Sequence, residues 1–569
     1  MQIIKGIPAA KGIAIGPGFI HKLVRSVPKR VPIKEASAEF QKLEEAITRS
    51  EMELQVIYEK ARGTVGEEAA EIFGAHLMML KDPDFLEAIK KKIIAEKINV
   101  EAAVYAASET YADLLENLSD DYLQARAADV RDVSARLIRN LDNETDAVAS
   151  LLLPSIVFAE DLAPSDTIQY ERTKLLGFFT EKGGATSHTA ILSRALGIPA
   201  VVGGGELPLI TADRTYILDG TTGLLIIEPD ELTLSRYLEI QQTQRTEFEQ
   251  EREAASTLAF TRDGRRAEVV ANIGNLDDAN NALLNGAEGT GLFRTEFSYL
   301  EQSFVPDEAV LVTVYRRIFQ TFGDKPVVVR TLDIGGDKEI PHLGLPREAN
   351  PFLGHRGIRL CLSRPDLFKP QLRAILRAGS HTNLFIMFPM ISSIQEISEA
   401  RKILAECQEE LEMEKAEFNK DPKIGIMIEV PSAAVCADQL AKVVDFFSIG
   451  TNDLTQYTLA ADRTNANVAH LVTALHPAVL RLTKQVIDCG HASGIWVGMC
   501  GEMAADPIAI PILLGLGLDE FSMNSPSIPQ AKAIIRNWDT RQAALLAEQV
   551  LQCETSAEIQ RIVVTSPQH

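Results

Sequence analysis

Residues 1 to about 20 alternate apolar positions with Gly6, Gly12 and Gly16, the pattern of short strands joined by turns. The texture changes near residue 33. From Ile33 to Asn140 there are three glycines and one proline, Pro83; Leu, Ala, Glu and Lys dominate, and apolar residues recur at three- and four-residue spacing. That period predicts long helices packed as hairpins. From about 145 to 230 the chain returns to strands (LLPSIVFA, KLLGFFT, AVVGG, TYILDG) and a helix, His188 to Leu196. The helical block, 33–143, therefore reads as an insertion into an α/β domain made of 1–32 and 144–230. Asp230 to Asp263 contains neither Gly nor Pro, and its polar pattern predicts a linker helix over 231–256.

The last stretch, 257–569, carries eight apolar β-type runs: AEVVANIG, GTGLFRTE, PVVVRTLDIG, LFIMFPM, KIGIMIEV, FFSIGTND, IWVGMCGE and DEFSMN. Helix-like segments separate them. Continuous apolar strands alternating with helices predict a (β/α)8 barrel of TIM type. The expected fold is thus multidomain α/β, with an N-terminal α/β domain, a helical-hairpin insertion and a C-terminal barrel.

Composition narrows the function. The net charge of −22 argues against a general binder of nucleic acid or anionic lipid. The six cysteines (Cys361, Cys407, Cys436, Cys489, Cys500, Cys553) form no CxxC pair, which suits a reducing compartment. The N-terminus does not read as a signal peptide, and the longest apolar run, Ile508 to Leu518, is too short to span a bilayer. A cytoplasmic protein without membrane insertion is expected.

Almost every barrel strand is expected to end in a polar or special residue: Asn272, Arg294, Arg330, Glu429, Asn452 with Asp453, Cys500 with Glu502, and Asn524. Active sites sit at that end of barrel strands. Arg294, Arg330, Arg356 and Arg463 suit a small polyanion, because guanidinium binds phosphate and carboxylate bidentately. Glu429 and Asp453, with no nearby histidine, suit a hard cation such as Mg²⁺; they could equally serve as ion-pair partners of the arginines. Lys338 could aid phosphate binding or be merely solvated. Cys500 could donate a proton to an enol carbon or be an inert core thiol.

In GGATSHTAILSRALGIPAVVG, Gly183 and Gly184 lead into a helix with His188 near its start, beside Thr186 and Ser187. A helix N-terminus favours phosphate, and a histidine there could be a phosphoryl-accepting nucleophile or a surface residue on a capped helix.

That string resembles the phosphohistidine signature of the phosphoenolpyruvate-utilising enzymes, and DFFSIGTNDLTQYTLAADR resembles their second signature. GAEGTGLFRTEF, VVVRTLDIGGDK, IGIMIEVPSA and VGMCGEMA are similar as well. The likeness runs from about residue 3 to about 540 and is best to the enzyme I branch, the phosphoenolpyruvate-protein phosphotransferases of the sugar phosphotransferase system. EEAAEIFGAHLMMLKDPDF and ARAADVRDVSARL resemble that branch's helical domain, which binds the phosphocarrier protein HPr. The resemblance implies a relay. Phosphoenolpyruvate binds at the barrel mouth, with Mg²⁺ on Glu429 and Asp453. Arg294, Arg330, Asn452 and Arg463 hold its phosphate and carboxylate, with help from Arg356. His188 takes the phosphoryl group, Cys500 protonates the enolpyruvate to pyruvate, and the N-terminal half swings on the 231–256 helix to present phospho-His188 to HPr. The resemblance also implies a homodimer through the barrel.

Three positions depart from the family pattern: His355 replaces an aromatic residue in LGHR, and Ala505 and Asn524 replace Gly and Ser. Two other readings compete. An ATP-dependent dikinase needs a nucleotide-binding domain for which no segment remains, and there is no GxxxxGK[ST] loop. A non-catalytic pyruvate-binding regulator would have no need of intact His188, Glu429, Asp453 and Cys500.

Overall fold

In a computed structural model the protein is described over residues 1–21, 27–65, 67–116, 121–142, 151–184, 187–207, 210–300, 304–335, 343–346, 348–463 and 465–566. It divides into two compact units, Met1–Thr246 and Glu247–His569. The division falls within a single helix, Glu231–Ala254, which is where the polar linker helix is expected.

The first unit is built on an eight-stranded mixed sheet. Its strands are β1 (Gln2–Lys5), β2 (Ile7–Ala10), β3 (Ile13–Ile20), β4 (Ser155–Ala159), β5 (Leu175–Thr180), β6 (Ala200–Val202), β7 (Thr215–Asp219) and β8 (Leu224–Ile227), in the order β1-β8-β7-β3-β4-β5-β6-β2. β3 pairs in parallel with β4, so everything between them in sequence leaves the sheet and returns beside it. That excursion holds the helices Ala36–Val65, Glu67–Leu80, Pro83–Glu96, Val100–Glu116 and Asp121–Asp142. They enclose a core of their own that includes Leu43, Phe85, Ile89, Ile93, Val104 and Leu137. Pro83 opens the third of these helices, and Asp82 caps it by accepting from the Phe85 N–H at 2.8 Å. A smaller cluster, Ile57, Ala61 and Phe73 against Ile168 and Leu192, ties the helices to the α/β part. Leu192 lies one turn beyond His188, so this contact sets the histidine against the helices.

The second unit is the expected barrel. Its strands are β9 (Glu268–Ile273), β10 (Thr290–Arg294), β11 (Pro326–Arg330), β12 (Asn383–Phe388), β13 (Lys423–Ile428), β14 (Phe446–Ile449), β15 (Trp496–Met499) and β16 (Glu520–Met523). All neighbours pair in parallel, and β9 closes against β16. The apolar runs are unbroken because both faces are buried. Val327 and Val329, Ile386 and Phe388, and Ile426 and Ile428 pack outward against helices. Val328, Met387, Met427 and Phe446 pack inward with Leu292 and Cys500. Strand periodicity then turns Arg294 and Arg330, two residues beyond Leu292 and Val328, towards the barrel axis. Among the described residues no helix is long and apolar enough to cross a membrane.

The Phe446 ring stacks on Trp496 at 4.6 Å and meets the edge of Phe385. Phe446→Ala should therefore cost about 3–5 kcal/mol of barrel stability. Both tryptophans, Trp496 and Trp538, lie in this unit, so denaturant unfolding followed by their fluorescence reads the change. A loss below about 1 kcal/mol would show that the ring is not part of a close-packed interior.

Candidate functional site

The expected site residues fall into two clusters, one within each unit. In the first unit, Gly183 holds φ at +103°, and the chain then enters the helix His188–Leu196. Ser187 caps that helix, its hydroxyl accepting from the Ala190 N–H at 3.4 Å. His188 is the helix's first residue and is 19% exposed. Its Nδ1 lies 3.2 Å from Oδ1 of fully buried Asp129. The same carboxylate receives His76 Nε2 at 3.1 Å and Arg126 Nη1 at 3.2 Å. His76 Nδ1 faces Asp132 at 3.7 Å, and Asp132 is held by the Ser165 hydroxyl at 3.0 Å.

The electrostatics follow from burial and from these partners. Burial pushes the Asp129 carboxyl up, but His76, His188 and Arg126 outweigh it and hold the group below its ordinary range. Burial pulls the His188 imidazolium down, and the opposing pull of Asp129 does not fully offset it. The ring is therefore mainly neutral at physiological pH. With Nδ1–H turned to the carboxylate, the Nε2 lone pair is the nucleophilic one. The sequence reading had found His188 but not Asp129, His76 or Arg126. The available signal was a histidine amid apolar residues in GAHLMML and an Arg126–Asp129 pair at helical spacing in RAAD. Thr186 lies outside the described residues.

In the second unit the expected strand-end residues gather at the C-terminal mouth of the barrel. Arg294 and Arg330 are the last residues of β10 and β11, Glu429 follows β13 and Cys500 follows β15. Asn452 and Asp453 differ from expectation. They lie not on a strand but in the first turn of the helix Thr451–Leu459, because β14 stops at Ile449 and Gly450 turns the chain. A Cβ on Gly450 would sit 3.0 Å from Glu429 Oε2, so any larger residue would make the Glu429 side chain give way. Among the described residues no side chain caps this helix, whose positive end starts at the mouth.

Buried charges alternate across the site. Arg330 binds Glu296 at 2.5 Å and Asp333 at 3.1 Å. Asp333 also binds Arg356 at 3.0 Å, Arg356 reaches Asp453 at 3.3 Å, and Asp453 takes Arg463 at 3.0 Å. Arg356 and Arg463 both lie over the Phe352 ring. Tyr457 joins Arg356 to the Phe352 carbonyl. The alternative that these acids pair with the arginines thus holds for Asp453, and it brings in two acids, Glu296 and Asp333, that the sequence reading had passed over. They stand in RTEF and RTLD, two and three residues beyond an arginine already singled out. Among the described residues no carboxylate lies within ion-pair distance of Arg294, whose charge nonetheless pulls the Asp278 carboxyl down against the stronger push of burial.

Glu429 is different. It accepts the Met390 N–H at 2.6 Å, from a residue held at φ +57°, and among the described residues no guanidinium is within ion-pair distance of it, though Arg330 and Arg356 pull its carboxyl down. Burial first, then Asp453 and Asp333, push its carboxyl up to about 8. Asn452 and Glu502 exchange two hydrogen bonds of 3.2 Å. Cys500 is buried, and its carbonyl accepts from Asn272, which is held in turn by Ser522. Burial pushes its thiol up to about 11 against the opposing effects of Ser448 and Arg330, so it carries its proton at neutral pH. His355, the departure beside Arg356, bonds Ser363 through Nε2 at 2.6 Å. Lys338 lies outside the described residues.

Residues 248–540 match the PEP-binding domain of PEP-utilising enzymes, 5–126 their N-terminal domain and 153–223 their mobile domain. The chain belongs to the PEP-utilising enzyme family. Among its relatives, the phosphoenolpyruvate-protein phosphotransferase of Geobacillus stearothermophilus is 46% identical over 98% of this chain and 97% of that one. The proteins of the same description from Bacillus subtilis and Staphylococcus carnosus are each 44% identical, over 98% of both chains.

Two outcomes follow from the geometry. Asp129→Asn removes the negative charge that favours imidazolium, so the His188 pKa should fall further; a ring-proton NMR titration reads it, and an unchanged value would break the assigned contact. With iodoacetamide at neutral pH, exposed Cys436 should be modified well before buried, protonated Cys500. Equal rates would show that the mouth thiol is ionised or open.

Proposed function

We propose that the chain is a phosphoenolpyruvate-protein phosphotransferase. It transfers the phosphoryl group of phosphoenolpyruvate to its own His188 and then to a histidine of the phosphocarrier protein HPr, releasing pyruvate. The observation that carries this reading is a protonated thiol, Cys500, set at the mouth of a barrel beside a continuous array of guanidinium groups.

Phosphoenolpyruvate carries a phosphate and a carboxylate. Arg294, held in no ion pair among the described residues, and the uncapped start of the helix Thr451–Leu459 suit the phosphate; Arg330, Arg463 and Asn452 complete the cradle, and Arg356 supports it through Asp333 and Asp453. His188 Nε2 attacks phosphorus, forming the N–P bond as the bridging O–P bond breaks. Developing negative charge on the transferred group meets the arginines, which is most of what phosphoryl transfer asks of a protein. The enolpyruvate takes the Cys500 proton at carbon and becomes pyruvate, which makes the first transfer strongly favourable.

A divalent ion fits the donor set. Glu429 and Asp453 are hard oxygen donors, and Glu429 is a buried carboxylate facing two others without a guanidinium of its own. Mg²⁺ is commonly held by one or two carboxylates together with substrate oxygens. Bound there, Mg²⁺ would neutralise phosphate charge.

For the second transfer, His188 sits beside the inserted helices, where Met52, Val56 and Met78 expose apolar side chains suited to docking the carrier. A cytoplasmic homodimer associating through the barrel completes the reading.

Incubation with Mg²⁺ and labelled phosphoenolpyruvate should give acid-labile, base-stable label on the wild type and none on His188→Ala. Cys500→Ala should slow pyruvate formation by on the order of 10²-fold or more, the usual contribution of a placed proton donor. Label from γ-labelled ATP instead would indicate a dikinase, and no label from either donor would leave a binding protein.

A further inference from the structure

The barrel has a second polar end that the phosphotransfer reading leaves unused. At its N-terminal mouth, opposite the strand ends described above, lies a cavity of about 200 Å³. Its walls include Glu268, Phe385, Trp496, Asp519 and Glu520. Such a volume is below that of sites for drug-sized molecules, roughly 300–1,000 Å³.

Two carboxyl groups meet here by construction. Glu268 opens β9, Glu520 opens β16, and the two are direct register partners. Their neighbours Val269 and Phe521 pack outward, so both acids face the barrel axis. Like charges directly opposite on adjacent strands are destabilising unless something intervenes. Burial first, then Glu268 and Asp519, push the Glu520 carboxyl well up, and burial pushes Glu268 up as well, so without a bound cation the pair sheds charge by holding a proton. Asp519 is already satisfied by His491 at 2.8 Å and by the Val497 N–H at 2.9 Å. Glu268 has Arg266 at 3.3 Å on its outer side. Glu520 is 97% buried, being 3% exposed, and its Oε1 has no hydrogen-bond partner. Space for that oxygen is made by two strand glycines. A Cβ on Gly291 would come within 2.6 Å of it, and one on Gly498 within 2.7 Å. Glycine within a strand commonly marks such a close approach.

The remaining wall is aromatic. Trp496 lies flat on Phe446, and Phe385 presents an edge to it at 5.9 Å. A buried acid beside an indole favours a weakly hydrated cation with N–H donors. Among the described residues no three His, Cys, Asp or Glu side chains gather here as a metal-binding group. We propose that this pocket binds a small organic cation, an ammonium, amidinium or guanidinium on a compact flat body, through Glu520 and Glu268 with Trp496 as its apolar wall. The pocket is distinct from the phosphoryl-transfer machinery and at the other end of the same strands.

Benzamidinium and its neutral isostere benzamide test this on the full-length protein by calorimetric titration near neutral pH. The expected result is saturable one-site binding of benzamidinium with a millimolar dissociation constant, the scale of a fragment-sized ligand. Benzamide, and benzamidinium on Glu520→Gln, should each bind at least about tenfold more weakly, or about 1.4 kcal/mol. Trp496 emission should respond in a Trp538→Phe background. If Glu520→Gln fails to fold by circular dichroism, Glu268→Gln carries the same comparison. Equal binding of the charged and neutral compounds, undiminished binding by the folded variant, or no saturable binding at tens of millimolar would overturn the proposal and leave Glu520 a neutral structural acid.

Discussion

The barrel mouth depends on a single chain of buried charges: Glu296, Arg330, Asp333, Arg356, Asp453 and, partly exposed, Arg463. An ion taken out of water costs several kcal/mol unless a partner and hydrogen bonds repay it. Each member here is repaid by neighbours from another segment: the end of β10, the end of β11, the loop at residue 356, and the helix that follows β14. Satisfying one charge therefore fixes four pieces of backbone relative to one another. The outcome is a rigid set of donors aimed where an anion would lie, which gives phosphoryl transfer its electrostatic stabilisation without reorganisation.

The same burial sets the state of the groups that the arginines do not hold. Cys500 keeps its proton because its Sγ sits on the apolar interior with Leu292, Val328 and Met427. Glu429 accepts the Met390 N–H and is raised by burial first and then by Asp453 and Asp333, against the weaker pull of Arg330 and Arg356. A proton donor and a cation ligand thus arise from one apolar surrounding, separated by which charges face each group. The first unit follows the same rule with fewer parts. Asp129, at the bottom of a buried cluster, orients His188 and is itself satisfied by His76 and Arg126.

Much of this was legible in the sequence, for physical reasons. Parallel strands covered on both faces must be continuously apolar, so all eight barrel strands stood out as runs, and the residues ending them could be read off. Arg294, Arg330, Glu429 and Cys500 lie where strand ends placed them. Asn452 and Asp453 were read as strand-end residues, yet they belong to a helix, since a glycine stops β14 one turn earlier than polarity suggests. What the sequence could not show was pairing. Glu296, Asp333 and Asp129 are ordinary acids along the chain; only the fold brings them to Arg330, Arg356 and His188. Register was equally hidden, and with it the meeting of Glu268 with Glu520.

The two ends of the barrel then make an argument by contrast. At the C-terminal mouth the arginines answer the buried acids, and Asp333 and Asp453 each pair with two guanidinium groups. At the N-terminal mouth the cations lie outside, on Arg265 and Arg266, while Glu520 faces inward beside another carboxylate. A strand carries its inward side chains from one end to the other, so β9 and β16 contribute to both mouths: Asn272 and Ser522 support Cys500, and Glu268 and Glu520 open the strands below. A cation bound between those acids would take the place of the proton that burial drives onto Glu520. The register of β9 against β16 would then be shared by the positioning of the thiol and the occupancy of the lower pocket.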